Sequence, residues 1–197
     1  MRERLPALIL DLDGTLVDTV YAHVFAWQRA LAEAGMPIDA WRIHRRIGMS
    51  GGLFARGVAR EVGRPLSDEE TEALQQRHGE LFRELLPERR PLPGAPELLR
   101  ELRELNVVHG IATSGRRPEI DSSLAALGVP DETVVVARGD VARAKPEPDL
   151  FLACVHVAVG IDPDRLHGAR ADIDSDEERR LRELSIYGLT ASRPDAE

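Results

Sequence analysis

Residues 7–18 read ALILDLDGTLVD, an apolar run that ends in two carboxylates separated by one leucine. The run over residues 7–10 predicts a short buried strand. Because strand side chains alternate between faces, Asp11 and Asp13 would point the same way if the strand continued through both. Gly14 then permits a sharp break in the chain. Two carboxylates at the carboxyl end of a buried strand are costly unless a cation or a reaction needs them, and ligands bind at that end of open α/β sheets. The stretch therefore predicts a functional site.

Length and charge restrict the class of protein. The chain has 197 residues, a formal net charge of −8 and one cysteine, Cys154. This length permits one core and a smaller inserted domain, and the acidic balance argues against binding nucleic acid. Because no apolar run approaches a membrane span and the first residues lack a signal-peptide core, we expect a cytoplasmic protein that does not bind a membrane. A single cysteine excludes an internal disulfide and a cysteine-cluster metal site.

The periodicity of apolar residues divides the chain into two parts. Between residues 18 and 90 it predicts only helices, over residues 20–34, 41–47, 53–62 and 68–86, the last capped by Ser67 or Asp68. Residues 91–96 form a turn-rich segment. Beyond it the pattern predicts helices over 97–105, 118–127 and 148–159, and strands over 107–112 and 133–137. Strands that alternate with helices indicate an α/β fold with a parallel sheet.

The string DLDGTLVDT at residues 11–19, between a strand and a helix, resembles the first signature of the haloacid dehalogenase-like hydrolases. It has the form found in their phosphatases and sugar-phosphate mutases. The resemblance implies a Rossmann-like parallel core over residues 1–17 and 91–197, with an inserted all-helical cap domain over residues 18–90. For a bare Asp-x-Asp-Gly match, a polar turn is the alternative.

In that family the first aspartate is the nucleophile and the second is the acid and base. The resemblance therefore implies that Asp11 attacks phosphorus, and that Asp13 protonates the leaving group and later activates water. An aspartyl-phosphate splits one slow hydrolysis into two easier steps. A Mg²⁺ ion bound by Asp11 and Asp13 would offset the repulsion between the two anions.

Residues 107–115 read VVHGIATSG, a predicted strand that ends in hydroxyl residues. The family's second motif has a Ser or Thr at this strand end that binds a phosphate oxygen. The resemblance implies this role for Thr113, with Ser114 adjacent, and backbone amides of the following helix would help. Arg116 and Arg117 are either phosphate ligands or solvated charges at a helix start. Taken alone, Thr-Ser-Gly after a strand is typical of a turn or helix cap.

Residues 144–151 read AKPEPDLF and are similar to the family's third motif, a lysine commonly followed by Pro-x-Pro-Asp-x-Phe. The resemblance implies that Lys145 neutralises the nucleophile and the charge that develops on the transferring phosphate. A lone lysine is otherwise typical of a solvated surface. Its position after Asp11 and Thr113, in the family's order, favours the catalytic role.

Residues 45–53 read RRIGMSGGL and resemble the Gly-rich cap loop that reaches over the active site in this family and helps to choose the substrate. Gly48 and Ser50 are therefore predicted to contact substrate, and Arg45 or Arg46 could meet a second substrate group. Glycines permit close approach and hinge motion. A plain interhelical loop is the alternative.

The C-terminal part departs from the family pattern. The fourth motif is an apolar strand that ends in Gly-Asp or similar, with another Asp four positions later, and it completes the magnesium site. Residues 165–176 read RLHGARADIDSD, in which Asp172 and Asp176 have the right separation. No β-branched or aromatic run precedes them, so no buried strand is predicted. Asp172 is the predicted third metal ligand, with a solvated acidic loop as the alternative. Residues 177–184 predict one short helix, followed by a polar tail, so this part of the core is predicted to be atypical or incomplete.

Over about residues 5–159 the resemblance implies a Mg²⁺-dependent phosphatase that acts on a small phosphorylated metabolite. One alternative is a sugar-phosphate mutase, which protects its aspartyl-phosphate from water. Another is an impaired relative that binds without turnover because its fourth motif is altered. Dehalogenase activity is not expected, since the dehalogenases of this family keep no acid at the position of Asp13. The sequence carries no signal for the natural substrate or the oligomeric state.

Overall fold

A single sheet lies at the centre of the structure, a computed structural model that describes residues 4–160 and 189–192. Within these residues its strands are β1 (Arg4–Leu10), β2 (Val108–Ala112), β3 (Val134–Val136) and β4 (Leu189–Ser192). Their order across the sheet is β3-β2-β1-β4. β1, β2 and β3 are parallel, with Leu10 opposite Ile111 and Gly110 opposite Val134. β4 runs antiparallel to β1. The predicted α/β fold with a parallel sheet is thus confirmed for the first three strands.

Helices cover both faces of this sheet. They are α5 (Ala95–Glu104), α6 (Arg117–Leu127) and α7 (Asp149–Val159). On one face, apolar residues of α7 such as Leu150 and Cys154 pack against Ala7 and Ile9 of β1. On the other face, residues of α5 and α6 pack against Ile111 of β2 and the buried residues that follow β1. Burial on both faces explains why residues 7–10 of β1 and the whole of β3 are apolar.

Four helices lie between β1 and α5 in the chain. They are α1 (Val20–Glu33), α2 (Ala40–His44), α3 (Gly51–Glu61) and α4 (Asp68–Leu85). They bury an apolar cluster of their own, which includes Trp27, Phe54 and Phe82. Ser67 caps α4 with a complete capping box, as predicted.

Two segments connect these helices to the sheet, and they run side by side. Val17 forms an isolated bridge with Pro91. The Asp18 amide donates to the Arg90 carbonyl at 2.9 Å, and the Leu92 amide donates to the Leu16 carbonyl at 2.9 Å. The helical part is thus joined to the sheet part by two segments that are hydrogen-bonded to each other. The predicted boundaries at residues 17 and 91 fall at this pairing, and the division into two domains stays a prediction.

Two details of the sequence prediction were wrong. The second helix ends at His44 and not at residue 47, because the chain turns before Gly48, which has a φ of 97°. The expected polar tail contains β4, which pairs antiparallel with β1. Residues 161–188, with Asp172, Asp176 and the helix predicted at 177–184, lie outside the described residues.

In the described part of the chain, none of the helices combines the length and the apolar character that a membrane crossing requires.

Gly110 of β2 gives a test of the packing between β2 and α7. A Cβ atom added there would lie 2.6 Å from Cys154 Sγ and 3.1 Å from the Val134 carbonyl oxygen. We expect Gly110→Ala to lower the free energy of unfolding by about 1–3 kcal/mol through overpacking. Gly57→Ala is the matched control, because a Cβ there meets nothing within 4 Å, and it should stabilise α3 by up to about 1 kcal/mol. Urea denaturation measures both changes, and equal effects would contradict the packing described.

Candidate active site

The two carboxylates predicted to be functional lie directly after β1, where the parallel strands end. Asp11 Oδ1 accepts the Leu12 backbone amide at 2.8 Å and lies 2.6 Å from Lys145 Nζ. Leu12, between the two aspartates, is fully buried in the core. The alternation of the strand therefore continues into the motif and keeps both aspartates on the side away from that leucine.

Lys145 reaches this edge from the loop between β3 and α7. Its side chain is only 13% exposed, and its ammonium group lies 5.1 Å from the centre of the Phe151 ring. Phe151 is the aromatic residue of the third motif, so the spacing from lysine to phenylalanine places a ring beneath the cation. Lys145 is also the single lysine of the chain, against 25 arginines. An ammonium group is a compact charge that can approach one carboxylate oxygen closely, whereas a guanidinium is a wide fork.

Asp13 is surrounded by hydrogen-bond donors. Oδ1 accepts the Thr19 hydroxyl at 2.9 Å and lies 3.4 Å from His23 Nε2, and Oδ2 lies 3.4 Å from the Thr113 hydroxyl. Burial acts to raise the pKa of Asp13. The hydrogen bond and charge of His23, together with Thr19 and Lys145, outweigh burial and hold this pKa below its ordinary value. Asp13 is therefore ionised in the ligand-free site at neutral pH.

Thr113 follows β2, as the second motif predicts, and its side chain is buried. Its hydroxyl accepts the Gly115 amide at 3.0 Å. The backbone at Gly115 comes close to the first motif, because a Cβ added there would lie 3.6 Å from Asp13 Oδ2. Ser114 is next in the chain, and its hydroxyl donates to the Gly48 carbonyl at 3.3 Å. The structure thus brings together the first, second and third motifs at one edge of the sheet.

The cap loop also reaches this edge. The Ser50 amide donates to the Lys145 carbonyl at 3.0 Å, and the Gly48 carbonyl accepts from Ser114. These contacts use the backbone of the loop. The Ser50 side chain is buried, while Gly48 lies on the surface of the cavity. Arg46 also lines the cavity and forms an ion pair with Glu61.

Arg116 is placed at the cavity, but its charge is already paired. Its guanidinium forms two hydrogen bonds with the carboxylate of Glu72 on α4, one of them at 2.8 Å. This pairing holds the pKa of Glu72 below its ordinary value. The pair connects the start of α6 to the helical part of the chain. A substrate that binds Arg116 must therefore share its guanidinium with Glu72 or displace Glu72 from it.

Among the site residues that sequence reasoning missed are Thr19, His23, Trp27 and His78. Thr19 and His23 are four residues apart at the start of α1, which puts them on one side of the helix facing Asp13. Trp27, one further turn along, and His78 of α4 line the same cavity. The sequence signal was a polar residue at the end of the first motif, Thr19, followed by a second one four residues later, His23.

A partly open cavity lies over Asp11 and Asp13. Its walls come from both the helical part and the sheet part of the chain. They comprise Asp11, Asp13, His23, Trp27, Arg46, Ile47, Gly48, Met49, Gly51, Phe54, Gln75, His78, Ser114, Gly115, Arg116, Glu119 and Arg138.

Asp11 and Asp13 offer the oxygen ligands that Mg²⁺ prefers. Among residues 4–160 and 189–192, no group of three or more His, Cys, Asp or Glu side chains is arranged to hold a metal ion. Among the described residues, Asp11 and Asp13 therefore supply two carboxylates suited to a Mg²⁺ site. The predicted third ligand, Asp172, lies outside the described residues.

Comparison with known proteins identifies the class to which this fold and site belong. A family model described as haloacid dehalogenase-like hydrolase matches residues 5–165. A solved hydrolase from Pseudomonas syringae superposes with a TM-score of 0.75 at 42% identity, over 80% of this chain and 72% of that one. The chain is an enzyme of the hydrolase class, and it belongs to the haloacid dehalogenase-like family.

Two curated relatives carry more specific names. N-acetylmuramic acid 6-phosphate phosphatase of Pseudomonas aeruginosa is 34% identical over 169 residues, which are 84% of this chain and 73% of the relative. Beta-phosphoglucomutase of Bacillus subtilis is 30% identical over 152 residues, which are 74% of this chain and 66% of the relative. The chain thus spans 73% and 66% of the length of these two relatives, and their names support a phosphatase or phosphotransferase role.

The bond between Thr19 and Asp13 has a testable dependence on pH. Thr19→Val removes a donor to a charged carboxylate and should lower the free energy of unfolding by about 1–2 kcal/mol at pH 7. Because the folded pKa of Asp13 lies below its unfolded value of about 3.9, this contribution is complete above that pH. It is lost as the pH falls through the lower folded value.

Urea unfolding between pH 3 and pH 7 measures this effect. Thr15→Val is the control, because Thr15 is exposed and its side chain bonds to none of the described residues. A Thr19→Val effect that is constant over this range of pH would contradict the assigned bond.

Proposed function

We propose that the protein is a Mg²⁺-dependent phosphatase that hydrolyses a small phosphorylated metabolite through an aspartyl-phosphate on Asp11. The observation that most supports this proposal is the contact of 2.6 Å between Asp11 Oδ1 and Lys145 Nζ. It lies at the edge of the sheet where Asp13 and Thr113 also meet. A carboxylate can attack a phosphate dianion only where nearby positive charge offsets their repulsion.

In the first step, an oxygen of Asp11 forms a bond to phosphorus as the ester bond to the leaving group breaks. The carboxylic acid form of Asp13 gives its proton to the leaving-group oxygen and becomes a carboxylate. Asp13 is ionised in the ligand-free site, but a phosphate dianion bound beside it adds negative charge and raises its pKa. Substrate binding therefore favours uptake of the proton that the step requires.

In the second step, water attacks phosphorus and the bond between phosphorus and Asp11 oxygen breaks. The Asp13 carboxylate accepts a proton from the attacking water, which returns the site to its starting charge and releases inorganic phosphate. Asp13 thus acts first as an acid and then as a base.

The remaining motif residues would hold the phosphate. Thr113 and Ser114 offer hydroxyl groups at the edge of the sheet, and α6 begins shortly after them, where a helix start attracts anions. Lys145 neutralises the charge that accumulates during transfer. When bound by Asp11, Asp13 and Asp172, Mg²⁺ would supply further positive charge next to the phosphate.

The cavity walls favour a phosphorylated carbohydrate. Trp27 and Phe54 give one wall of the cavity an apolar character, while Gln75 and Arg138 provide donors for hydroxyl groups. Two relatives are named for N-acetylmuramic acid 6-phosphate and fructose-1-phosphate. We assign the choice of leaving group to the helical cap, residues 18–90, including Gly48 and Ser50, and the chemistry to the core. A cytoplasmic location stays a prediction from the sequence.

A sugar-phosphate mutase is the second candidate, because a named beta-phosphoglucomutase matches the chain at 30% identity. It would form the same aspartyl-phosphate and pass the phosphoryl group to a sugar hydroxyl. The third possibility is an impaired enzyme, which follows only if Asp172 fails to complete the metal site.

Asp11→Asn tests the nucleophile. An amide is a poor nucleophile for phosphorus, so we expect release of phosphate from p-nitrophenyl phosphate to fall at least about 10³-fold. Asp18→Asn is the matched control, since Asp18 belongs to the same sequence motif but is exposed, and it should keep near-normal activity. Circular dichroism verifies that both variants are folded.

Assays of phosphate release and of sugar-phosphate isomerisation together separate the candidate functions. Release of phosphate that requires Mg²⁺ and stops with a chelator supports the phosphatase, and isomerisation of glucose 1-phosphate supports the mutase. Absence of both reactions over a panel of sugar phosphates, from folded protein, supports the impaired form. Substantial turnover by the Asp11→Asn variant would contradict the proposed mechanism.

Lys145→Ala tests charge neutralisation. Loss of the cation beside Asp11 should lower the rate of the chemical step at least about 10²-fold, measured in a single turnover with enzyme in excess. Arg143→Ala is the control, because Arg143 is exposed and faces Asp149 at 3.6 Å, away from Asp11. Similar single-turnover rates for the Lys145→Ala variant and the wild type would contradict the assigned role.

A further inference from the structure

One face of the cap helix α4 meets the start of the core helix α6. Glu72 and Gly79 lie seven residues apart on α4, which is two helical turns, so they share this face. The Glu72 carboxylate accepts two hydrogen bonds from the Arg116 guanidinium, one of them at 2.8 Å. Gln75 of α4 and Arg116 also line the cavity. The contact between the two helices therefore borders the proposed site.

Gly79 allows the two helices to approach closely. A Cβ atom added to Gly79 would lie 2.6 Å from Glu119 Oε1 on α6. Glycine in the interior of a helix is less favourable than alanine, yet Gly79 is buried well inside α4. The space that it leaves is occupied by the Glu119 carboxylate, which also accepts the Arg116 amide at 3.3 Å. The close approach of cap and core thus accounts for a glycine at this position.

The contact between α4 and α6 can open without unfolding either part of the chain. The chain itself passes between core and cap near residues 17–18 and 90–91, where the two segments pair. The ion pairs of Arg77 on α4, with Glu33 and with Glu80, stay within the cap. The pair of Glu72 with Arg116 instead joins the cap to the core, so it resists their separation.

The pair has the strength expected of a reversible contact. The Arg116 side chain is 39% exposed and the Glu72 side chain is 43% exposed. Ion pairs in contact with water contribute little to stability and are weakened further by salt. The hydrogen bonds from Arg116 hold the pKa of Glu72 below its ordinary value, so both partners are charged at neutral pH. The pair therefore forms in the ligand-free protein but breaks readily.

We propose that the pair of Glu72 and Arg116 is a latch that holds the cap closed over the cavity of the ligand-free protein, so that a ligand enters and leaves only after the pair breaks. Glu72 contacts no reacting atom in this scheme and acts through the position of the cap. The significance of the latch for turnover rests on the proposed function, whereas the latch itself can be measured without turnover.

Trp27 reports whether the cavity is open. It lines the cavity and is 6% exposed, while the other tryptophan, Trp41, is 60% exposed. In a Trp41→Phe background, Trp27 is the single tryptophan of the chain. Because an open cap exposes its ring, we expect Glu72→Gln to raise the constant for quenching of Trp27 fluorescence by acrylamide about threefold or more. An unchanged quenching constant would overturn the proposal.

Glu80→Gln is the matched control. It makes the same change of charge on the same helix, but Glu80 is paired with Arg77 inside the cap, so quenching should stay as in the Trp41→Phe parent. Arg116→Gln breaks the latch from the core side and should match Glu72→Gln. The exchanged pair, Glu72→Arg with Arg116→Glu, should restore low quenching, which a simple loss of packing would not allow. Circular dichroism verifies that each variant is folded.

Salt gives a second signature of the latch. An increase from 0.1 M to 1 M NaCl shortens the screening length from about 10 Å to about 3 Å. It should therefore raise the quenching constant of the parent, and leave that of Glu72→Gln unchanged because the pair is already lost. An equal response of the parent and the Glu72→Gln variant would contradict the latch.

Inorganic phosphate tests the consequence for ligand entry and release. With Mg²⁺ present, ³¹P nuclear magnetic resonance measures the rate at which phosphate exchanges between the free and bound states. We expect this rate to be about threefold higher or more for Glu72→Gln than for Glu80→Gln, since a larger share of the molecules is open. Equal exchange rates would overturn the proposal. If phosphate binds to none of these proteins, the proposed function is contradicted, and the quenching of Trp27 still decides whether the latch exists.

Discussion

Two negative charges at the end of one buried strand are the constraint around which this structure is organised. Asp11 and Asp13 follow β1 and would repel each other and any phosphate brought between them. Lys145 approaches Asp11 from the loop after β3, and Thr113 approaches Asp13 from the end of β2. The parallel order of the three strands is what delivers these groups to one edge, since each strand ends on the same side.

The helical part of the chain also contributes side chains that stabilise these negative charges. Thr19 and His23 supply donors to Asp13, and the cap loop bonds through its backbone to the loop that carries Lys145. Asp13, which we propose as the acid-base group, thus has partners from both parts, whereas Asp11, the proposed nucleophile, is paired with Lys145 of the core. A change in the position of the cap would therefore alter the surroundings of Asp13 more than those of Asp11.

Much of this organisation could be predicted from the sequence, because the informative residues lie at the ends of strands. A strand that ends in Asp-Leu-Asp-Gly, a second that ends in Thr-Ser-Gly, and a lysine before a helix each have a fixed position relative to the sheet. His78 could not be found in the same way. It lies between Leu74 and Phe82 at helical spacing, which predicts a buried face but not the partner across it. β4 was missed because its backbone pairs with β1 in a segment whose composition is typical of a tail.

The presence of only one lysine in the chain has an experimental consequence. Growth on ¹⁵N-lysine would place a single side-chain nitrogen label in the molecule, and that nitrogen lies 2.6 Å from the carboxylate that we assign as the nucleophile. Its chemical shift and its rate of hydrogen exchange with water would report the charge state of this ion pair directly, without assignment of any other side-chain amine. The enzyme therefore contains a built-in spectroscopic probe at its reacting centre.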